Sequence, residues 1–348
     1  MSAEAAPTEA TPPGSRSTGM AMSVSFATTL DTPEYIRIAE DLGFHRAWLY
    51  DTPQQSPDVW MMLASAAGRT TRIGLGPGVL VPTLRHPMVN ATATAALESM
   101  APGRVAVAFG TGYTGRKAMG QSPVTWSYLS AYVATYRALL RGESVEWEGG
   151  WLKMLHPPES LPTTSLASIP VYIAAIGPKG TRIAETLGDG LFAVQGVPPN
   201  AANFSHVIFG TTGTVLDEGE SLTSDRVRAA AGPGVVQAYH ATYELFGEAA
   251  VAGVPGGPEW LAVVDEVPCH LRHLTIHNGH LMWMNAADNI GWDAGGSALL
   301  THTTMTGTAA EVRRKADELA DRGVHELTFQ PMGDIRRELE AFARAVKL

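Results

Sequence analysis

Three short glycine-containing runs of this chain could meet a ligand, and two of them carry a threonine or a basic residue. The first, Gly110-Thr111-Gly112-Tyr113-Thr114-Gly115-Arg116, directly follows an apolar stretch with strand character. Consecutive backbone amides with a threonine hydroxyl can cradle a phosphate, and Arg116 adds charge-assisted hydrogen bonds. The second, Gly177-Pro178-Lys179-Gly180, comes just after Ala175 and opens a helical run. It offers another anion site through the helix N-terminus and Lys179. The third is Gly76-Pro77-Gly78-Val79, where Gly78 permits dihedrals that a side chain forbids. Backbone there can press closely against a planar ring. A turn, a helix cap and a bulge are the structural alternatives for the three runs.

Single side chains add possible proton chemistry. Asp51 stands where a buried apolar strand should end, placed to hold a ligand hydroxyl or to bond loop amides. His86, in Arg85-His86-Pro87, can donate a proton or cap the helix that follows. His302 lies in Thr301-His302-Thr303-Thr304, and further histidines fall at 270, 273, 277 and 280. No carboxylate-rich pattern accompanies them, and Cys269 is the single cysteine, so no metal site is expected. No nucleophile, base and acid assemble into a hydrolytic triad. Trp48, Trp60, Trp126 and Trp151 are expected to pack structurally.

Positioning these groups takes a repeated strand–helix unit. Strands are expected at Met22–Thr28, Ala47–Tyr50, Arg72–Leu75 running into Gly74–Val81, and Arg104–Phe109. Four more follow at Val171–Ala174, Gly190–Val194, His206–Thr212 and Val324–Gln330. Helical periodicity falls between them, as in Thr32–Leu42, Val59–Gly68, Met88–Ser99, Trp126–Leu140 and Thr308–Arg322. A hairpin, Ser144–Glu148 with Trp151–Leu155, is turned by Gly149 and Gly150. Eight strands interleaved with helices predict a (β/α)8 TIM barrel, with ligands at the C-terminal strand ends. An open doubly wound sheet competes, but no dinucleotide fingerprint follows the first strand. Residues 214–307 are too long for an ordinary connection. With helical runs at Asp225–Phe246 and Glu259–Val264, they predict a helical excursion between strands 7 and 8. Residues 1–20 are expected to be a disordered leader, and 21–348 a single barrel domain.

Bulk composition narrows the class. The chain has 348 residues, 45% hydrophobic and 17% charged, enough to bury a large core. A formal net charge of -9 disfavours a nucleic-acid partner, which calls for a basic surface. No 18-residue apolar run predicts a membrane span, and no apolar segment near the start predicts secretion. One cysteine cannot form an intrachain disulfide, so the expected compartment is cytoplasmic.

Several motifs occur in an order that resembles the luciferase-like superfamily. They are Leu84-Arg85-His86-Pro87, then Ala96-Leu97-Glu98-Ser99 leading to Gly103-Arg104, then Phe109-Gly110-Thr111-Gly112. Gly115-Arg116-Lys117-Ala118-Met119-Gly120 and the closing Thr306-Gly307-Thr308-Ala309-Ala310-Glu311 resemble its coenzyme F420 (deazaflavin) branch, similar to methylenetetrahydromethanopterin reductase. The resemblance implies hydride transfer between F420 and a small organic substrate. It implies a non-prolyl cis peptide at Gly78-Val79 behind the cofactor ring, and Asp51 near the deazaflavin. Gly110, Thr111, Gly112, Gly177 and Lys179 would surround the cofactor tail, and a homodimer would be usual. One position departs from the reductases, Thr52 standing where they commonly carry histidine. An FMN-dependent luciferase-like monooxygenase is the alternative, and a cofactor-binding protein without turnover is a third possibility. On the deazaflavin assignment, Asp51, His86 and His302 are the proton-donor candidates.

Overall fold

The structure, a computed structural model, describes residues 19–160 and 165–348. Its strands are β1 (Ala21–Phe26), β2 (Arg46–Leu49), β3 (Gly74–Leu80), β4 (Val107–Phe109), the hairpin β5 (Val145–Trp147) and β6 (Gly150–Leu152), then β7 (Val171–Ala174), β8 (Gly190–Ala193), β9 (Val207–Thr212) and β10 (Glu326–Gln330). All but the hairpin pair in parallel and close into a barrel, in the order β1-β10-β9-β8-β7-β4-β3-β2. The expected eight-stranded architecture is therefore present, with several strands trimmed at one end. Residues 1–18 of the expected leader lie outside the described residues, while Met20 is already buried in the core.

Between strands run α1 (Thr32–Asp41), α2 (Val59–Ala67), α3 (Pro87–Met100), α4 (Tyr113–Lys117), α5 (Trp126–Leu140) and α6 (Pro178–Leu187). Their ends follow local chemistry. Asp58 caps α2 by accepting from the Trp60 and Met61 amides. Thr125 caps α5 through the Tyr128 amide. The main core lies between the barrel's outer face and these helices, and includes Val24, Leu49, Leu75, Phe109, Tyr136 and Phe329. Inside the barrel, Trp48 is fully buried and meets Tyr172 and Phe192 edge-on, at 5.9 and 5.5 Å between ring centroids.

Trp151 departs from expectation: it is 75% exposed. Side chains alternate across a hairpin, and only one face of this one is covered. Trp147 takes that face, against Tyr128 and Tyr132, while Trp151 pairs across from Glu146 on the other.

The excursion after β9 holds α7 (Asp225–Phe246), α8 (Glu248–Val251), α9 (Gly257–Asp265), α10 (Arg272–Ile276), α11 (Ala286–Asp293) and α12 (Leu300–Thr303). It carries its own apolar cluster around Tyr239, Trp260 and Val264. The chain returns through α13 (Ala309–Asp321) to β10 and ends in α14 (Ile335–Val346). Thr308 and Glu311 form a capping box at the start of α13, and Gly323 (φ +88°) turns the chain after it.

Candidate active site at the strand ends

The C-terminal ends of β2, β3 and β4 bring most of the expected residues together. The β3–β4 register shifts between Gly78 and Leu80, and the Gly78–Val79 peptide is cis. Gly78 lies flat on Trp48: a Cβ there would sit 2.9 Å from the indole. A Cβ on Gly110 would come within 2.8 Å of Val79 Cγ2 and 3.5 Å of the Ala174 Cβ. Gly112 adopts φ +78° as the residue before α4, with Val81 packed against it. Gly115 sits beside the Asp51 carbonyl. The result is a wall of small residues, Gly78, Val79, Gly110 and Ala174, with the loop after β4 folded along it.

Asp51 is 3% exposed at the end of β2. Its Oδ2 accepts from Arg85 Nη1 at 2.6 Å, and Arg85 Nη2 donates to Asp58 Oδ2 at 2.6 Å. Burial pushes the Asp51 carboxyl up, against the opposing pull of Arg85. Asp51 thus anchors the β3–α3 loop, an arrangement for which the sequence offered no spacing signal because Arg85 is 34 residues away. Arg116 donates to the Ser122 carbonyl at 2.5 Å and also to the Thr83 hydroxyl, tying the loop after β4 to the turn after β3. The Thr111 carbonyl accepts from the Val124 amide at 2.9 Å. Thr52 bonds within its own turn, its carbonyl accepting from the Gln55 and Ser56 amides.

The other expected residues make contacts of their own. His86 is exposed, and its Nδ1 accepts from the Met88 amide at 3.1 Å, capping α3. His302 is exposed on α12, in a turn that Lys315 holds to α13 through the Thr301, Thr304 and Thr306 carbonyls. Ala175 is buried against Gly180, while Gly177 and Lys179 are exposed at the start of α6. No side chain caps the start of α6, where Lys179 is exposed.

The excursion reaches the barrel mouth. The Tyr50 hydroxyl donates to Gln330 Oε1 at 2.7 Å, and Gln330 Nε2 donates to the Leu281 carbonyl at 2.6 Å. Burial raises the Tyr50 hydroxyl to about 12, so it stays a neutral donor. Behind Leu281 lies a buried chain of rings and carboxylates. His277 Nε2 donates to Glu244 Oε1 at 2.7 Å. His240 and His280 meet through their Nδ1 atoms at 2.8 Å, and His240 Nε2 reaches Asp288 Oδ1 at 3.0 Å. Trp260 Nε1 donates to the same carboxylate oxygen at 2.9 Å. Burial, with His240 and His277 close by, holds His280 well below the ordinary histidine range. Sequence inspection noticed His277 and His280 but missed their partners. The available signal was His240 and Glu244, four apart on one face of α7. Among the described residues, no group of three or more histidine, cysteine or acidic side chains is arranged to hold a metal ion, and no helix is long and apolar enough to cross a membrane.

With this geometry in place, comparison with known proteins settles the family. The sequence profile of the luciferase-like monooxygenases matches residues 10–205, more than half of the chain. The chain belongs to that family. It is 32% identical over 187 residues to the F420-dependent glucose-6-phosphate dehydrogenase of Beutenbergia cavernae, covering 48% of this chain and 53% of that one. To the 5,10-methylenetetrahydromethanopterin reductase of Archaeoglobus fulgidus it is 31% identical over 161 residues, covering 45% and 47%. The chain thus spans about half the length of the curated relatives it matches. Its fold is similar to that of the coenzyme F420-dependent tetrahydromethanopterin reductase from Methanopyrus kandleri, with a TM-score of 0.65, 18% identity, and 94% and 98% coverage of the two chains. Family and fold are those of luciferase-like oxidoreductases.

Proposed function

We propose that this luciferase-like barrel is an F420-dependent oxidoreductase transferring hydride between the deazaflavin and a small organic substrate. The observation that carries this is the small-residue wall at the ends of β3 and β4, in a chain whose dehydrogenase relative and reductase structural neighbour are both F420-dependent by name. Bound there, the deazaflavin supplies a ring carbon that accepts or donates hydride. Gly78, Val79, Gly110 and Ala174 would hold the ring against their face. The loop Gly110–Gly112 would hold its tail through the Thr111 and Gly112 amides, the Gly110 amide being bonded to the Leu80 carbonyl. The start of α6 and the Lys179 ammonium would hold the tail's anionic end. Asp51, fixed by Arg85, keeps the β2 end and the β3–α3 loop in register with that wall.

Fluorescence titration with F420 and with FMN tests the assignment. F420 should bind at least about tenfold more tightly than FMN, a difference of about 1.4 kcal/mol. Lys179→Ala should weaken F420 binding several-fold, and less so at high salt. Oxygen consumption with reduced FMN and no binding of F420 would make the protein a monooxygenase instead. Failure to bind either cofactor would leave the fold without this activity.

A further inference from the structure

The excursion touches the loop after β4 at two places. Tyr113, the first residue of α4, brings its hydroxyl beside the Glu244 carboxylate of α7. Gly120 lies under His273 of α10, where a Cβ would fall 3.1 Å from the imidazole Cε1 and Nε2. On its other side the loop rests on the barrel. Gly112 packs on Val81, Gly115 on the Asp51 carbonyl, and Arg116 is bonded to Thr83 and Ser122. The loop is therefore a layer between the ends of β2 and β3 and the excursion. Its contact at Tyr113 is incomplete. The Tyr113 hydroxyl oxygen is buried, yet it makes no well-aligned hydrogen bond among the described residues. Glu244, with its side chain 7% exposed, accepts from His277 Nε2 at 2.7 Å, and a carboxylate has lone pairs for further donors. Burial, then the Glu244 charge, pushes the Tyr113 hydroxyl up, so it keeps its proton and can donate it to a hydrogen bond. A buried hydroxyl without a partner destabilises the arrangement, and a small approach of α4 to α7 would supply one. Gly112 is the pivot for such an approach. It precedes Tyr113 with φ +78°, and a ligand on its amide would fix the dihedrals that aim the tyrosine.

We propose that Tyr113 is a positioning residue that couples occupation of the Gly110–Gly112 loop to closure of the excursion, by completing a hydrogen bond to Glu244 when the loop holds its ligand. The coupling rests on the function proposed above, which assigns the cofactor tail to that loop. A ligand shifts such an equilibrium only through a difference in free energy between the two states, and the completed bond is that difference. By linkage, the factor by which the tail favours closure is the factor by which closure tightens the tail. One hydrogen bond to a charged acceptor makes it on the order of tenfold. The excursion is already fastened at the β10 side of the mouth, where its Leu281 carbonyl accepts from Gln330 Nε2 at 2.6 Å. Tyr113 would fasten the β4 side as well, and only once the cofactor is in place. The order of events at the mouth is then cofactor first and closure second.

Amide hydrogen exchange on the full chain, alone and with F420 or FMN, tests this, with binding followed in the same samples by fluorescence titration. In the wild type, F420 should slow exchange about tenfold around Glu244 at the end of α7 and in α10. Tyr113→Phe should leave exchange there within about twofold of wild type when no cofactor is present, because the hydroxyl has no bond to lose. The same variant should abolish the slowing by F420 and weaken F420 binding about tenfold. Glu244→Gln should blunt the slowing, and adding Tyr113→Phe to it should lower F420 affinity little further. A tyrosine with a merely structural role would do the opposite: its loss would change exchange in the cofactor-free protein and leave the response to F420 intact. Bound F420 without slowing at α7 and α10, or equal slowing in Tyr113→Phe, overturns the coupling and leaves the cofactor assignment standing. If F420 does not bind, the cofactor assignment falls and FMN judges the coupling by the same outcomes. Binding of neither overturns both.

Discussion

At the scale of single residues, the Asp51–Arg85 pair shows how a polar group at a strand end is used. Asp51 is nearly inaccessible, and its carboxylate is opposed by one guanidinium that also holds Asp58. Removing one partner of a buried pair is costlier than removing both, because a charge is left without solvent or counter-ion. Arg85→Met should therefore destabilise the protein by roughly 3 kcal/mol, while Asp51→Asn together with Arg85→Met should cost less than the single change. Urea denaturation at neutral pH measures both, and equal midpoints for Arg85→Met and wild type would refute the anchoring role. The residue type at 51 was legible in the sequence, but its partner was not. A carboxylate beside a strand end fits a ligand hydroxyl or an arginine equally well until the β3–α3 loop is seen to fold back over it.

At the scale of elements, the excursion is fastened to the barrel at particular points. Glu338 on α14 accepts from Thr214 at 2.6 Å and from Arg226 of α7 and Arg337 at 2.9 Å each. Gly234, inside α7, allows that helix to lie against the end of β9. A Cβ at 234 would fall 2.1 Å from Thr212 Oγ1 and 2.8 Å from Thr212 Cβ. Helix propensity alone would make Gly234→Ala favourable by about 1 kcal/mol. Overpacking costs about 1–3 kcal/mol, and the approach to Thr212 Cβ, fixed to the β9 strand, decides the sign. Gly234→Ala should speed amide hydrogen exchange in Asp225–Phe246 ahead of the barrel strands. Unchanged exchange there would mean that α7 docks without close contact at 234. The helix itself was readable from periodicity over the same residues, whereas its glycine pair could equally have marked a break.

At the scale of the whole molecule, the barrel interior couples distant strands. Trp48 Nε1 of β2 donates to Glu326 Oε1 of β10 at 2.8 Å, and His206, just before β9, approaches Glu326 Oε2 at 3.2 Å. Although burial opposes it, His206, Arg46, Ser23 and Trp48 together hold the Glu326 carboxyl down to about 2. A carboxyl lowered in the folded state stabilises the fold above its unfolded value, near 4.5, and loses that contribution as pH falls toward 2. The loss should amount to roughly 3 kcal/mol. Glu326→Gln should flatten the fall in denaturation midpoint between pH 4.5 and 2, and an equally steep acid transition in the variant would assign it to other carboxyls. The sequence by itself determined the repeat of strand and helix, the eight-fold count and the glycine-rich strand ends, because periodicity and turn chemistry are local properties of the chain. Only the tertiary structure decided which groups meet: Arg85 with Asp51, Trp48 with Glu326, and Glu244 with His277. Each of those pairs joins residues 33 or more positions apart, and barrel closure and the return of the excursion over its mouth, not spacing along the chain, set the distance between them.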